Sequence, residues 1–308
     1  MMKRLLIAAL VIVFAASLFG CSSGGSSNSK PSITEPSSAS VESKGGSEGN
    51  TESATANKQP TGSAQVDETV LVDESGIRIT TTGLGNGYGG KSLKLLIENN
   101  SGEGLIFQCR NASINGYMVD TMFSSNVADG KKAKDAITFV KSSLELSDID
   151  AIADIELTFH IFSSDNWSTY LDTEPVTLRT SIADEYNYEY DDSGAMLYDD
   201  EGLQIIVKGL SKNASYLGPS VIVEIINNRD NCVTVQTRDA SVNGYMVDPI
   251  FSPEIMPGKR IIATMDFMSS SLKENDIDNI EDVSLYFHVF DSDTWETIVD
   301  TDMLSFSF

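Results

Sequence analysis

Basic residues are scarce in this chain: 21 lysines and arginines stand against 45 aspartates and glutamates, a formal charge of −24 over 308 residues. Such a surface disfavours nucleic acid and anionic lipid headgroups as partners and favours cationic ones. Cysteine is scarcer still. After Cys21 only Cys109 and Cys232 remain, and they fall at non-equivalent positions of a repeat, so neither repeat can close a disulfide of its own. There are two histidines and one long apolar run. A histidine-based catalytic centre needs a nucleophile, a base and oxyanion donors converging, and nothing in the spacing around His160 or His288 supplies them. No segment beyond that first run is long and apolar enough to span a bilayer.

The apolar run, Leu5 to Phe19, comes after Lys3 and Arg4 and ends in Leu18-Phe19-Gly20-Cys21. A charged start, a short apolar stretch and a small residue before the cut define a secretory signal over residues 1–20. The last four residues resemble the lipobox of bacterial lipoproteins, with Phe19 bulkier than usual at the second position. That resemblance implies cleavage before Cys21 and a diacylglycerol thioether on its sulfur, with acyl chains such as palmitate holding the protein to a membrane. Residues 21–66 then read as the lipidated cysteine and a Ser/Gly-rich tether. The tether is too polar to offset its ordering entropy and is expected to be disordered, reaching roughly 35–40 Å.

Beyond the tether the chain is a tandem repeat. Residues 111–124 read NASINGYMVDTMFS and residues 239–252 read DASVNGYMVDPIFS, at an offset of 128. The correspondence extends along repeats at 67–182 and 195–308, joined by an acidic, tyrosine-rich linker at 183–194. That linker reads as solvated, or as a docking strip for a basic partner. The strands 93–100 and 221–228 keep the offset of 128, but Gly83-Leu84 and Gly209-Leu210 match at 126, which places a two-residue insertion in the loop Ser211–Gly218. Each repeat is large enough to bury its own core, so the two are expected to behave as beads on a string.

Within a repeat the hydrophobic period is two. Ile155, Leu157, Phe159 and Ile161 alternate with polar residues, as do Val283, Leu285, Phe287 and Val289. One short helix is expected near Ser143 to Asp148, with Ser142 and Glu145 at capping-box spacing. The chain is therefore read as all-β, two tandem antiparallel β-sandwich (immunoglobulin-like) domains after a signal peptide and disordered linker. The Cys-Trp-Cys pattern of true immunoglobulin domains is absent.

Asn-Gly between apolar residues predicts a two-residue hairpin with positive φ at both turn positions. In that register Tyr117, Val119, Phe123, Tyr245, Val247 and Phe251 point into the core. Met118, Asp120 and Met246 face outward, and the Asn-Gly pair serves its backbone. Upstream, the apolar parity of Leu105, Phe107 and Cys109 is out of step with Ala112, and Val233 and Val235 are out of step with Ala240. A bulge near Arg110 and Arg238 must absorb one residue. Cys109 and Cys232 are both expected to be unpaired, with Cys109 buried.

Candidate chemistry is thin. Asp148, Asp150, Asp276 and Asp278 are the carboxylates closest to a calcium site. Their loop lacks glycine and carries isoleucine at every third position, which a docked turn explains without metal. Ser270 and Lys273 have the spacing of penicillin-recognising enzymes, without the accompanying motifs. Trp167 and Trp295, in turn-like segments beside acids, are candidates to stack on a sugar or anchor a protein, with Met118 and Met246 on the same kind of surface.

The lipobox-like start, the tether and the repeated Asn-Gly-Tyr-Met-Val-Asp unit together resemble uncharacterised surface lipoproteins of Gram-positive, clostridia-like bacteria. The resemblance implies an extracytoplasmic, lipid-anchored address at the cell membrane; the residues themselves point to no enzyme activity and no cofactor. The expected function is a non-catalytic binding or adhesion-type module for a protein or glycan. The alternative is an envelope accessory or structural protein docking on a membrane or cell-wall complex.

Overall fold

The structure is a computed structural model that describes residues 63–211 and 216–308, with the two strand residues of β1 (Ile33–Thr34). The signal, Cys21, nearly all of the tether and residues 212–215 of the expected insertion loop lie outside the described residues. Among the described residues no helix is long and apolar enough to cross a membrane.

The first repeat contributes β2 (Thr69–Glu74), β3 (Ile77–Gly87), β4 (Gly90–Asn99), β5 (Leu105–Ile114), β6 (Tyr117–Met118), β7 (Thr121–Met122), β8 (Ser124–Val127), β9 (Lys131–Phe139), α1 (Lys141–Leu146), β10 (Asp154–Ser163), β11 (Thr169–Asp172) and β12 (Val176–Arg179). The second contributes β13 (Ala195–Asp200), β14 (Leu203–Ser211), β15 (Ser220–Asn227), β16 (Val233–Val242), β17 (Tyr245–Met246), β18 (Glu254–Ile255), β19 (Arg260–Asp266), α2 (Ser269–Glu274), β20 (Asp282–Asp291), β21 (Thr297–Asp300) and β22 (Leu304–Ser307). The fold is all-β.

In the first repeat β2, β3, β4, β9 and β7 pair in that order, and β5 pairs with β10, β6 and β8. The second repeat has the same plan, with β13, β14, β15 and β19 on one side and β16 and β20 at the centre of the other. The alternating residues do what their period requires. Ile155, Leu157, Phe159 and Ile161 enter one buried cluster, and Val283, Leu285, Phe287 and Val289 enter a second. Side chains of both sheets meet in each cluster.

The parity slip is resolved as expected. Pairing of β5 with β10 shifts between Arg110 and Ser113, and pairing of β16 with β20 shifts between Arg238 and Ser241. Asn111 and Asp239 absorb the extra residue at φ 52° and 49°.

The helix differs from expectation. It spans Lys141–Leu146, starts from Val140 without a side-chain cap, and has a counterpart in α2. Ser143 Oγ instead accepts a hydrogen bond from the Asp120 N–H at 3.1 Å, tying the helix to the hairpin. Its end explains the aspartates. Asp148 and Asp276 take φ 51° and 56° just past the helices. Ile149 N–H then donates to Leu144 O and Ile277 N–H to Leu272 O, both at 2.9 Å. This is the left-handed helix stop in which an apolar residue beyond the turn packs back on the last turn. Leu144 and Ile149 share the first cluster, Leu272 and Ile277 the second.

The repeats are not separate beads. One parallel bridge, Tyr117 to Arg260, joins β6 to β19, so that an 11-stranded sheet runs through both. They lie within one compact unit. The bridge divides the fates of two identical hairpins. Tyr117 and Met118 are 8% and 7% exposed, whereas Tyr245 and Met246 are 53% and 64% exposed. Met118 is thus not an outward-facing residue, since it packs into the second repeat's cluster. Tyr245, expected in the core, is at the surface because nothing described in this chain covers the second hairpin. Val119, Val247 and Phe251 are buried as expected, and Phe123 is partly buried.

Candidate binding cleft between the repeats

The junction is built from residues the sequence separates widely. Glu224, on central strand β15, is 0% exposed. Its carboxylate meets Lys208 Nζ at 3.2 Å and Arg260 at 2.9 Å. Burial pushes this carboxyl above the usual 4.5, and the two cations pull it back. Arg260 also pairs with Asp192 at 2.5 Å and lies 3.8 Å from the centre of the Tyr190 ring, and its N–H donates to Gly116 O at 3.1 Å. Lys259 pairs with Glu156 of the first repeat at 3.1 Å.

The acidic, tyrosine-rich linker is therefore a strap that finds its basic partners in its own chain. Lys208 Nζ donates to Asp191 O at 2.6 Å, Tyr190 OH to Asn115 O at 3.1 Å, and Tyr188 OH to Asp154 at 2.5 Å. Burial pushes the Tyr117 hydroxyl up to about 12, with Glu224 adding to the shift. Gly116 is required twice. Its φ is 85°, and a Cβ there would stand 2.6 Å from the Tyr190 hydroxyl oxygen.

Beside this clasp lies a cleft of about 500 Å³ between the hairpin and α1 of the first repeat and the β19 edge of the second. Its walls include Met118, Leu146, Ile250 and Phe251, with Asp120 and Asp266 adding negative charge. Its floor is a stretch of strand that, among the described residues, is unpaired on one side. β19 pairs with β15 along its whole length on one side. On the other side Arg260 meets Gly116, and Asp266 exchanges two hydrogen bonds with Ile250 at 2.9 and 3.2 Å. Successive residues of an antiparallel strand turn their N–H and C=O groups to alternate neighbours. Ile262 and Thr264 share the parity of Arg260 and Asp266, so their main-chain groups point into the cleft, where no strand pairs with them among the described residues. The matching stretch of the first repeat, Lys132-Ala133-Lys134-Asp135-Ala136, is charged; here it is Arg260-Ile261-Ile262-Ala263-Thr264.

The other candidate residues lie elsewhere. Trp167 and Trp295 are 72% and 75% exposed, at φ 62° and 63°. Each stacks on a phenylalanine, Phe162 at 5.6 Å and Phe290 at 5.4 Å, and each phenylalanine neighbours the histidine two residues earlier. His160 and His288 pair across the strand with Asp172 and Asp300 at 2.5 and 2.6 Å. Asp150 offers its main-chain carbonyl to Lys91. Among the described residues no three His, Cys, Asp or Glu side chains converge as metal ligands. Cys109 is half-buried rather than buried, and Cys232 is buried; both are free. Burial pushes their thiols up to about 11 and about 12, far from nucleophilic thiolate.

The two tryptophan turns rest on different supports. Asp291 accepts from Asn231 Nδ2 at 2.6 Å and from Thr294 N–H at 2.8 Å, and these bonds hold its carboxyl down to about 2 from 3.8. A depressed carboxylate stabilises the fold above its unfolded pKa, and that contribution is lost as pH falls through the folded value. The first repeat has Ser163 at the matching position. In a Trp167→Phe background the Trp295 fluorescence is expected to change as pH falls through about 2. Asp291→Ser should remove that acid transition.

No family model and no curated protein matches this chain. Among solved structures it is similar to the crystal structure of the YadV chaperone, at 12% identity and a TM-score of 0.21, over 70% of this chain and 92% of that one.

Proposed function

We propose that this chain is a lipid-anchored, extracytoplasmic binding module, non-catalytic, that receives an extended polypeptide on the open edge of β19. In this reading Cys21 carries the lipid, residues 21–66 tether the folded part, and each repeat is an immunoglobulin-like sandwich. The observation that carries the binding role is the pair Ile262 and Thr264, whose unpaired main-chain groups face an apolar cleft. An added strand satisfies such groups and gains its selectivity from side-chain pockets. Arg260 and Asp266 are already engaged on this side, so the open edge runs from Ile261 to Met265, roughly 13 Å, room for about four residues. Asp120, Asp266 and the chain's net negative charge favour a basic segment.

An end-blocked peptide of about four residues alternating valine and lysine is the probe. It is expected to bind the full chain, and Thr264→Pro is expected to weaken it tenfold or more. Proline there removes the N–H that faces the cleft, together with the Thr264 hydroxyl bond to Asp266 at 3.2 Å, and leaves the ladder to β15 intact, as an edge position tolerates. Peptide binding that survives Thr264→Pro, or no binding to the wild-type chain, would sink the reading.

A further inference from the structure

Both halves of the inter-repeat junction also exist in unjoined form. The second hairpin repeats the first in register: Ser241 pairs with Met246 and Val242 with Tyr245, as Ser113 pairs with Met118 and Ile114 with Tyr117. Its tip is open, for nothing stands within 4 Å of a Cβ built on Gly244. The receiving edge recurs on the first repeat. Lys131 N–H donates to Ala128 O at 3.1 Å at the start of β9, and Lys259 N–H donates to Met256 O at 3.1 Å just before β19. Glycines at φ 68° and 67° precede them. Among the described residues β9 pairs on its outer side only at Thr138 and Phe139, with β7, which leaves the main chain of Lys132 facing outward as that of Arg260 does.

We propose that these halves join between molecules: the hairpin Gly244-Tyr245-Met246 of one copy docks on the β9 edge of a second copy, head to tail. The geometry is the one the chain already uses within itself, Gly244 O accepting from Lys132 N–H as Gly116 O accepts from Arg260. Charge favours the pairing. Residues 183–308 hold seven basic and 24 acidic residues, while β9 opens with Lys131, Lys132 and Lys134. Edge lysines repel casual strand partners, but they complement an acidic one. The contact is weaker than its counterpart within the chain, because Lys132 replaces the arginine fork, Leu96 replaces Glu224, and no strap supplies a Tyr190. Each copy presents two different patches, so association continues past a dimer unless it closes into a ring.

Sedimentation of the full chain in detergent, up to about 1 mM, tests this. The wild type should show concentration-dependent species larger than a dimer. Tyr245→Asp/Met246→Asp changes two exposed side chains, and Lys132→Pro removes one outward N–H and a surface ion pair to Glu98, so each keeps its fold, which its thermal transition verifies. Each variant alone should stay monomeric. Mixed in equal amounts they should form dimers and nothing larger, because one sound hairpin then meets one sound edge. A wild type that stays monomeric throughout, variants that still associate alone, or a mixture without dimers would overturn the proposal.

Discussion

Replacing Arg260 by alanine is expected to cost about 3–5 kcal/mol, the penalty for stripping one partner from a buried ion pair. Glu224 has no access to water and would keep only Lys208. The Asp192 and Tyr190 contacts that hold the strap go with the guanidinium. Arg260→Lys should fall well short of wild type, since a point charge cannot span Glu224 and Asp192 while lying flat on a ring. The first repeat suggests the compensation: Thr82, Leu96 and Lys132 stand where the second has Lys208, Glu224 and Arg260. Lys208→Thr with Glu224→Leu in the Arg260→Ala background removes the stranded charges and should recover all but about 1 kcal/mol, as apolar replacements of buried ion pairs do. Urea unfolding at neutral pH measures both.

The same variant carries a pH signature. Burial already raises the Glu224 carboxyl, and Arg260 is one of two cations opposing that. Without Arg260 the folded pKa rises further. A raised folded pKa means that stability is full below the unfolded value and is lost as pH rises through the folded one. The deficit of Arg260→Ala should therefore shrink between neutrality and about pH 4.5, the ordinary value of that carboxyl. A deficit independent of pH would mean that Glu224 is not the group left stranded.

Much of the fold was legible because strand parity is local. Alternation over Ile155–Ile161 fixes which residues enter the core, and the mismatch of Phe107 with Ala112 demands an extra residue wherever the structure puts it. The junction was not legible in the same way. The hexapeptide Asn-Gly-Tyr-Met-Val-Asp is identical in both repeats, so no local rule can send Tyr117 inward and Tyr245 outward; only a partner 143 positions downstream, Arg260 for Tyr117, does that. The strap misleads for a related reason: acids and tyrosines in a row are what solvent tolerates, and their cations lie in β14 and β19. One signal was present. Val221 to Ile226 is apolar on both faces apart from Glu224, whereas the first repeat carries Lys94 and Glu98 in that stretch. A strand apolar on both faces is covered on both faces, and a lone glutamate in it needs a buried cation.

Asn115→Gly is expected to cost about 2–4 kcal/mol, for an unpaired buried polar group and lost bonds to it, although glycine suits the turn as well as asparagine does. Both residues adopt positive φ readily, so a purely conformational role would make the exchange nearly neutral. The side chain does more. Asn115 Nδ2 donates to Ala151 O at 2.7 Å, and its Oδ1 accepts from the N–H groups of Ala153 and Asp154 at 2.8 and 3.2 Å. The hairpin tip is thereby riveted to the entry of β10, and glycine would leave the buried N–H of Ala153 without its partner. Asn243 makes the same three bonds, to Asn279, Glu281 and Asp282, in a wetter setting. Water replaces lost partners there, so Asn243→Gly should cost about 1 kcal/mol. Asn115→Asp keeps the acceptor and the turn but strands the Ala151 carbonyl, and should fall between wild type and Asn115→Gly. Equal, small losses at both positions in chemical unfolding would return the Asn-Gly pair to a backbone role alone.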